Sequence, residues 1–408
     1  MTLTTPTSQP LSPTPVTTSG DWDVQLLYFT SSSLTADDRV VVLIRELDGN
    51  PTLWVRDLPR QKAWAIQLND TGYLKSYVYF DGRRNEGFGK ASVSLDPQRE
   101  LVYFIYGVEV RCVDVHGVTR VLTKLRDDEV TAFTHVSSDG KLLCVPTIDG
   151  RALDGAFVNG RPAYDIDLRV QNENLRSYLN IFDTRTGELL ARETVERAWI
   201  THVQFSPTAS TKILYNHEWP ADCGVRRMWL WDGTSHKRLR EEDGEKSRGD
   251  WVCHEMWSRD GNSIIYHGRY AGTAPVTSGG QLVFGGGNGP AFIGRCDADG
   301  SNAVEIALPP QYTRYGHFTA GNGDWLVTDG YYEEPDDPPS HGAWISLLKP
   351  DWMSRTIDWR PVCRHGSSWR SQDEHPHPIF DHAGRHVYFT SDRSGRRAVY
   401  RVEVGNVS

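Results

Sequence analysis

The sequence predicts an all-β fold, a seven-bladed β-propeller, on three observations. From Asp21 onward the chain is a succession of short alternating or apolar stretches cut by Gly, Asp, Asn and Pro turns. No long stretch of 3.6-residue period interrupts them. A loose unit of about fifty to seventy residues recurs to the end of the chain.

Each unit reads as an apolar strand, a turn such as Ser138–Gly140, a second strand, a turn or longer loop, and a third strand ending in a polar residue. The third strands align best: Thr52–Leu58, Val110–Val115, Tyr178–Asp183, Arg227–Asp232, Ala291–Cys296, Ala343–Leu348 and Ala398–Glu403. Seven four-stranded units repeated radially make a propeller, and closing the ring protects the sheet edges. A six- or eight-bladed count is the alternative, because the loops are irregular. The last unit runs out after its third strand, near Val404. An N-terminal strand, from about residues 21–30, is therefore expected to complete the last blade and close the ring. Long insertions at about 148–176, 216–226, 268–290 and 331–342 fall between second and third strands. The 268–290 loop carries Ser278–Gly280 and Gly285–Gly289 but lacks the strand–Gly-loop–helix setting of a phosphate cradle. It reads as a surface loop, with a substrate lid as the alternative.

Residues 21–408 are expected to form a single propeller domain behind a disordered tail, residues 1–20, rich in Ser, Thr and Pro. That tail lacks the basic start and apolar core of a secretory signal, so a cytoplasmic location is expected. The 408 residues are 38% hydrophobic and 24% charged, with no apolar run long enough to cross a membrane. A net charge of -9 argues against nucleic-acid binding. Six singly placed cysteines without a C-x-x-C pair fit a reducing compartment.

The stretch richest in chemistry is Gln372–His377, followed by Pro378. Read as a strand, it puts His375 and His377 on one face, with the Gln372 amide close by: a three-ligand corner for a divalent ion. Nitrogen and oxygen donors without thiolate favour borderline to hard ions such as manganese or zinc. His254 and His317 open the two preceding blades as His375 and His377 open the last, so all four are expected at the central channel.

These blocks resemble the oligogalacturonate lyases. The resemblance is carried by Cys363–Trp369, by Gln372-x-x-His375-Pro376-His377-Pro378, and by Val387–Asp392. Upstream it continues in His217-Glu218, in Arg227–Trp229, and in His254-Glu255-x-Trp257. It implies a seven-bladed propeller, a divalent metal, typically Mn2+, on His317, Gln372, His375 and His377, and His254 as Brønsted base. Arg227 would assist at the uronate, with Arg226 adjoining it. His217 and His365 are candidates for substrate contact or support, with packing as the alternative. The implied reaction is β-elimination from short oligogalacturonides such as digalacturonate and trigalacturonate, late in pectin breakdown.

The residue types suit that reaction. The C5 proton of a 4-linked uronate is weakly acidic, because its carbanion shares charge with the neighbouring carboxylate. A metal and an arginine at the carboxylate stabilise the developing charge. A neutral histidine accepts the proton. Glu255, expected on the face opposite His254, is not read as the base. Trp219-Pro220 stands where the family pattern has Gly-Pro, and the spacing from Trp369 to Gln372 is short. These departures bear on which uronate is cut. The alternatives are a lyase for another uronate-containing oligosaccharide and a non-catalytic propeller scaffold of the TolB or WD type. Arg83 and Arg84 could meet a second uronate or form a solvated turn. Oligomeric state is not fixed by the sequence.

Overall fold

The computed structural model describes residues 10–17, 22–47, 50–66, 92–155, 157–158, 161–162, 166–218, 227–240, 250–270, 277–278, 281–282, 289–308, 316–330, 344–370 and 372–405. Arg83, Arg84, Arg226 and most of the Gly-rich 268–290 loop lie outside these residues. The strands form a seven-bladed β-propeller arrangement of antiparallel sheets, built in chain order except that the last takes its edge strand from the N-terminal segment. By contacts the chain resolves into two compact units. One comprises residues 21–218 with 231–234, the other residues 1–20, 219–230 and 235–408.

In the unit of residues 21–218, the first sheet runs Asp23–Leu26, Val40–Leu47, Asn50–Asp57 and Lys62–Ala65. The second runs Val93–Asp96, Leu101–Tyr106, Glu109–Asp114 and Thr119–Lys124. The third is built on Leu142–Asp149, Arg176–Asp183 and Leu189–Glu196. Its insertion carries a short hairpin and an α-helix, Ile166–Asn172, that the β-periodicity did not predict. Alternation explains these sheets. Val40, Val42 and Ile44 point one way and pack with Leu53, Val55, Val102 and Phe104 in one apolar cluster.

His135 ties this unit together. Its Nδ1 accepts the Phe205 N–H (3.2 Å), so its Nε2 carries the proton and donates to the Thr30 carbonyl (3.1 Å). Burial pushes its pKa down to about 4, against the opposing bonds with the backbone at Thr30 and Val136. A folded-state value below the unfolded one means that the unfolded chain takes up the proton first. The stabilisation is therefore whole above pH ~6.5 and is lost as pH falls from there toward ~4, on the order of 2 kcal/mol after allowing for partial exposure. His135→Gln should flatten the fall of the unfolding midpoint across that window. An unchanged slope would assign the effect to other groups.

Counting sheets by their third strands in chain order, with Met228–Trp231 in the fourth, the fifth sheet, in the other unit, runs Trp251–Trp257, Ser263–Arg269, Ala291–Asp297 and Val304–Ala307. The sixth runs Phe318–Ala320, Leu326–Thr328, Trp344–Asp351 and Thr356–Arg364. The seventh runs Ile379–Phe380, His386–Ser391 and Ala398–Glu403. Trp325, Val327, Ile345 and Leu347 of the sixth pack against Phe380, Val387 and Phe389 of the seventh. Each such fully buried side chain contributes roughly 1.5–3 kcal/mol, enough to fix the two sheets' histidines relative to each other.

An N-terminal strand does complete the last sheet, but it is not residues 21–30. Thr14 and Pro15 pair with Arg401 and Tyr400, while Asp23–Leu26 is the innermost strand of the first sheet. Within the tail expected over residues 1–20, Val16 and Thr17 are buried and both donate their backbone N–H to the Val399 carbonyl. The four insertions lie between second and third strands as expected. Among the described residues, Cys112, Cys144, Cys253, Cys296 and Cys363 are unbridged and buried, and no helix is long and apolar enough to cross a membrane.

Candidate metal centre

Three buried histidines of the 235–408 unit, His317, His375 and His377, bring a ring nitrogen each within 4.8 Å of one another. His317 lies immediately before Phe318–Ala320, and Asp329 immediately after Leu326–Thr328. Because Phe318 pairs with Thr328, His317 and Asp329 face each other across the ladder. The His317 N–H donates to Asp329 Oδ1 (2.6 Å), and its Nδ1 lies 3.0 Å from Oδ2. A carboxylate only accepts, so Nδ1 carries the proton and Nε2 presents its lone pair.

His375 and His377 do converge, but not by strand alternation. Gln372–Glu374 is a 3-10 turn, His375 sits in a bend, and His377 adopts a left-handed φ of 46° before Pro378. The strand starts only at Ile379. The conformation at His377 is costly for a residue that precedes proline, on the order of 1–3 kcal/mol. Asp329 holds it there by accepting the His377 N–H (3.0 Å), and the Pro376 carbonyl accepts from Thr390 N–H (2.9 Å). His377 Nε2 then lies 3.1 Å from His317 Nε2. Nitrogen donors without thiolate, this close together, suit an ion held between them. The donor set therefore fits a borderline divalent ion. The side chain of Gln372, expected as a fourth ligand, lies outside the described residues.

Trp369, itself at φ 56°, brings its ring 4.1 Å from that of His375 and 6.1 Å from that of His317. Its loop is stitched down by Asp392, which accepts from the Ser368 N–H (2.7 Å) and Oγ (2.6 Å). His365, offered above for substrate contact, accepts the Ser367 N–H at Nδ1 (2.8 Å) and so anchors this loop.

His254 lies on the innermost strand of the fifth sheet, and its ring centroid is 4.4 Å from that of His317. A β-bulge puts it there. Cys253 pairs with His267 and Met256 with Ile265, leaving one extra residue between them, and His254 takes φ 51°. Its Nδ1 is 2.9 Å from the Gly316 carbonyl and 2.9 Å from His267 Nε2. A carbonyl can only accept, so Nδ1 of His254 carries the proton and Nε2 keeps the basic lone pair. His267 is fully buried, and burial first, with the neighbouring His317 and Arg227 in the same direction, drives its pKa well below 6.5.

Arg227 is buried with Glu255, its Nε donating to Oε2 (2.8 Å). That pairing accounts for Glu255, which the sequence had set aside as a base. His217 is described with the other unit, its ring 5.9 Å from Tyr215, and its neighbour Glu218 accepts from Thr201 and Asn216.

Sequence reasoning missed Asp329 and His267. His267 had one local signal, a histidine inside the apolar run Ser263–Arg269. Asp329 had none, because it becomes visible only once Phe318 and Thr328 are known to be partners.

No family model matches the chain. A curated relative, the oligogalacturonate lyase of Dickeya dadantii, is 26% identical over 235 residues, 54% of this chain and 54% of its own length. The match thus spans about half the length of that relative. Among solved structures, an oligogalacturonate lyase from Vibrio parahaemolyticus superposes with a TM-score of 0.72 over 97% of this chain and 94% of its own, at 20% identity. An oligogalacturonate lyase in complex with manganese gives 0.71 over 97% and 96%, also at 20% identity. The chain shares their fold, and its sequence is related to that of the oligogalacturonate lyases.

Proposed function

We propose that the chain is a metal-dependent lyase that cleaves short oligogalacturonides, digalacturonate and trigalacturonate, by β-elimination. The observation that carries this reading is the convergence of His317, His375 and His377 beside a histidine whose Nε2 is left basic. A non-catalytic scaffold has no use for such a set, with its strained backbone at His254 and His377.

In this reading His317, His375 and His377, joined by Gln372, hold a divalent ion, Mn2+ being the one bound in the related structure. When bound, the ion supplies charge that neutralises the uronate carboxylate and so acidifies the C5 proton. Arg227, kept extended by Glu255, assists at the same carboxylate. His254 takes the C5 proton at Nε2. The resulting imidazolium is stabilised at Nδ1–H by the Gly316 carbonyl, and the C4–O bond breaks as the C4=C5 double bond forms, the departing oxygen taking its proton from water. His217 and His365 act away from the reacting atoms, His365 by holding the Trp369 loop.

The test is turnover of digalacturonate and trigalacturonate by protein stripped with a chelator and then given Mn2+. Unsaturated uronate should fall more than a hundredfold on stripping and return with the ion. Metal binding without cleavage of galacturonides would transfer the reading to another uronate-containing oligosaccharide. No metal binding would overturn it.

A further inference from the structure

We propose that Cys253, His254 and His267 form a second, thiophilic metal site, suited to zinc, whose occupation silences the base. The sheet register builds it. Cys253 and His267 are direct cross-strand partners, so their side chains share one face. Consecutive strand residues normally point to opposite faces, yet the bulge and the left-handed φ at His254 swing its ring to the side of its neighbour Cys253. One ligand atom from each of the three lies within 4.8 Å of the others, and all three residues are buried. Phe318, its ring 4.8 Å from that of His267, closes one side with an apolar wall.

One thiolate and two imidazoles are the donors of a tetrahedral zinc site with a fourth position for water. They differ from the sulfur-free set on His317, His375 and His377, so the two sites sort ions by softness. Manganese prefers nitrogen and oxygen, while zinc and cadmium take the thiolate. Binding releases the Cys253 Sγ proton to solvent as the S–metal bond forms. If His254 ligates through Nδ1, the atom facing His267, its proton moves to Nε2. If it ligates through Nε2, that lone pair is donated to the ion. Either way no basic lone pair remains. The consequence for turnover rests on the lyase reading; the site itself does not.

The experiment uses cobalt(II) as a spectroscopic stand-in for zinc on the chelator-stripped full chain. Wild type should develop a thiolate-to-cobalt charge-transfer band. Cys253→Ser and Cys253→Ala, checked for unchanged thermal unfolding, should lack that band and retain Mn2+-supported turnover. Zinc should inhibit wild type at a concentration at least tenfold lower than either variant. Absence of the band in wild type, or its persistence in both variants, overturns the site. A band confined to wild type with equal zinc sensitivity in all three proteins overturns the coupling to His254. If galacturonides are not cleaved at all, the band alone still decides whether the site exists.

Discussion

Replacing His254 with asparagine should lower kcat on digalacturonate by about 10²- to 10⁴-fold with little change in KM, the range for removal of a positioned general base. Asparagine is the informative choice because of the backbone. His254 sits at φ 51°, where alanine would add on the order of 1 kcal/mol of strain, whereas asparagine adopts that region readily. Its side-chain amide can also donate to the Gly316 carbonyl, as Nδ1 of the histidine does. The variant therefore keeps the bulge and loses only the basic nitrogen. Its thermal unfolding should match that of wild type, which separates a chemical loss from a folding loss. A drop of only a few-fold would move the base elsewhere.

The second large effect belongs to Asp329. It is fully buried and accepts from the His317 N–H, from His317 Nδ1 and from the His377 N–H, so one carboxylate orients two of the three imidazoles. Burial alone would raise its pKa; the neighbouring His317 and the hydrogen bonds it donates hold the carboxyl below its usual range. Asp329→Asn keeps the shape but removes the charge and puts an N–H where two donors already point. Metal affinity should weaken about 10- to 100-fold, as for other groups that hold a metal-binding histidine from behind. The fold should lose about 3 kcal/mol, the cost of breaking a buried charged network. Calorimetric titration with Mn2+ and thermal unfolding read the two separately. Unchanged affinity would leave Asp329 a purely structural group.

The sequence made the fold legible because every third strand is an apolar stretch closed by a polar residue, and all seven appear where that pattern lies. Loops hid what the strands revealed. The completing strand at Thr14–Pro15 is two residues long inside a Thr/Pro-rich stretch, so neither length nor alternation marks it. His375 and His377 were found for the wrong geometric reason. The motif assembles through a 3-10 turn and a left-handed residue, which composition does not encode. The bulge at His254 was equally silent, since an extra residue is defined only against its partner strand. Asp329 and His267 share that cause: their roles exist across a ladder, and a sequence read in one direction does not display register.

The pairing of Thr14 with Arg401 has a consequence for how the molecule forms. The contact joins residues 387 positions apart, about as non-local as this chain allows. On a ribosome, the sheet that follows His375 and His377 stays without its outer strand until Tyr400 and Arg401 emerge and the earlier Thr14–Pro15 segment finds them. Pairing across so long a separation is slow to form, because loop closure must precede the reward of the contact. The histidine cluster thus sits on a sheet whose outer strand is made hundreds of residues before the strand it pairs with. A nascent chain halted before Arg401 would hold its histidine loop on an unfinished sheet.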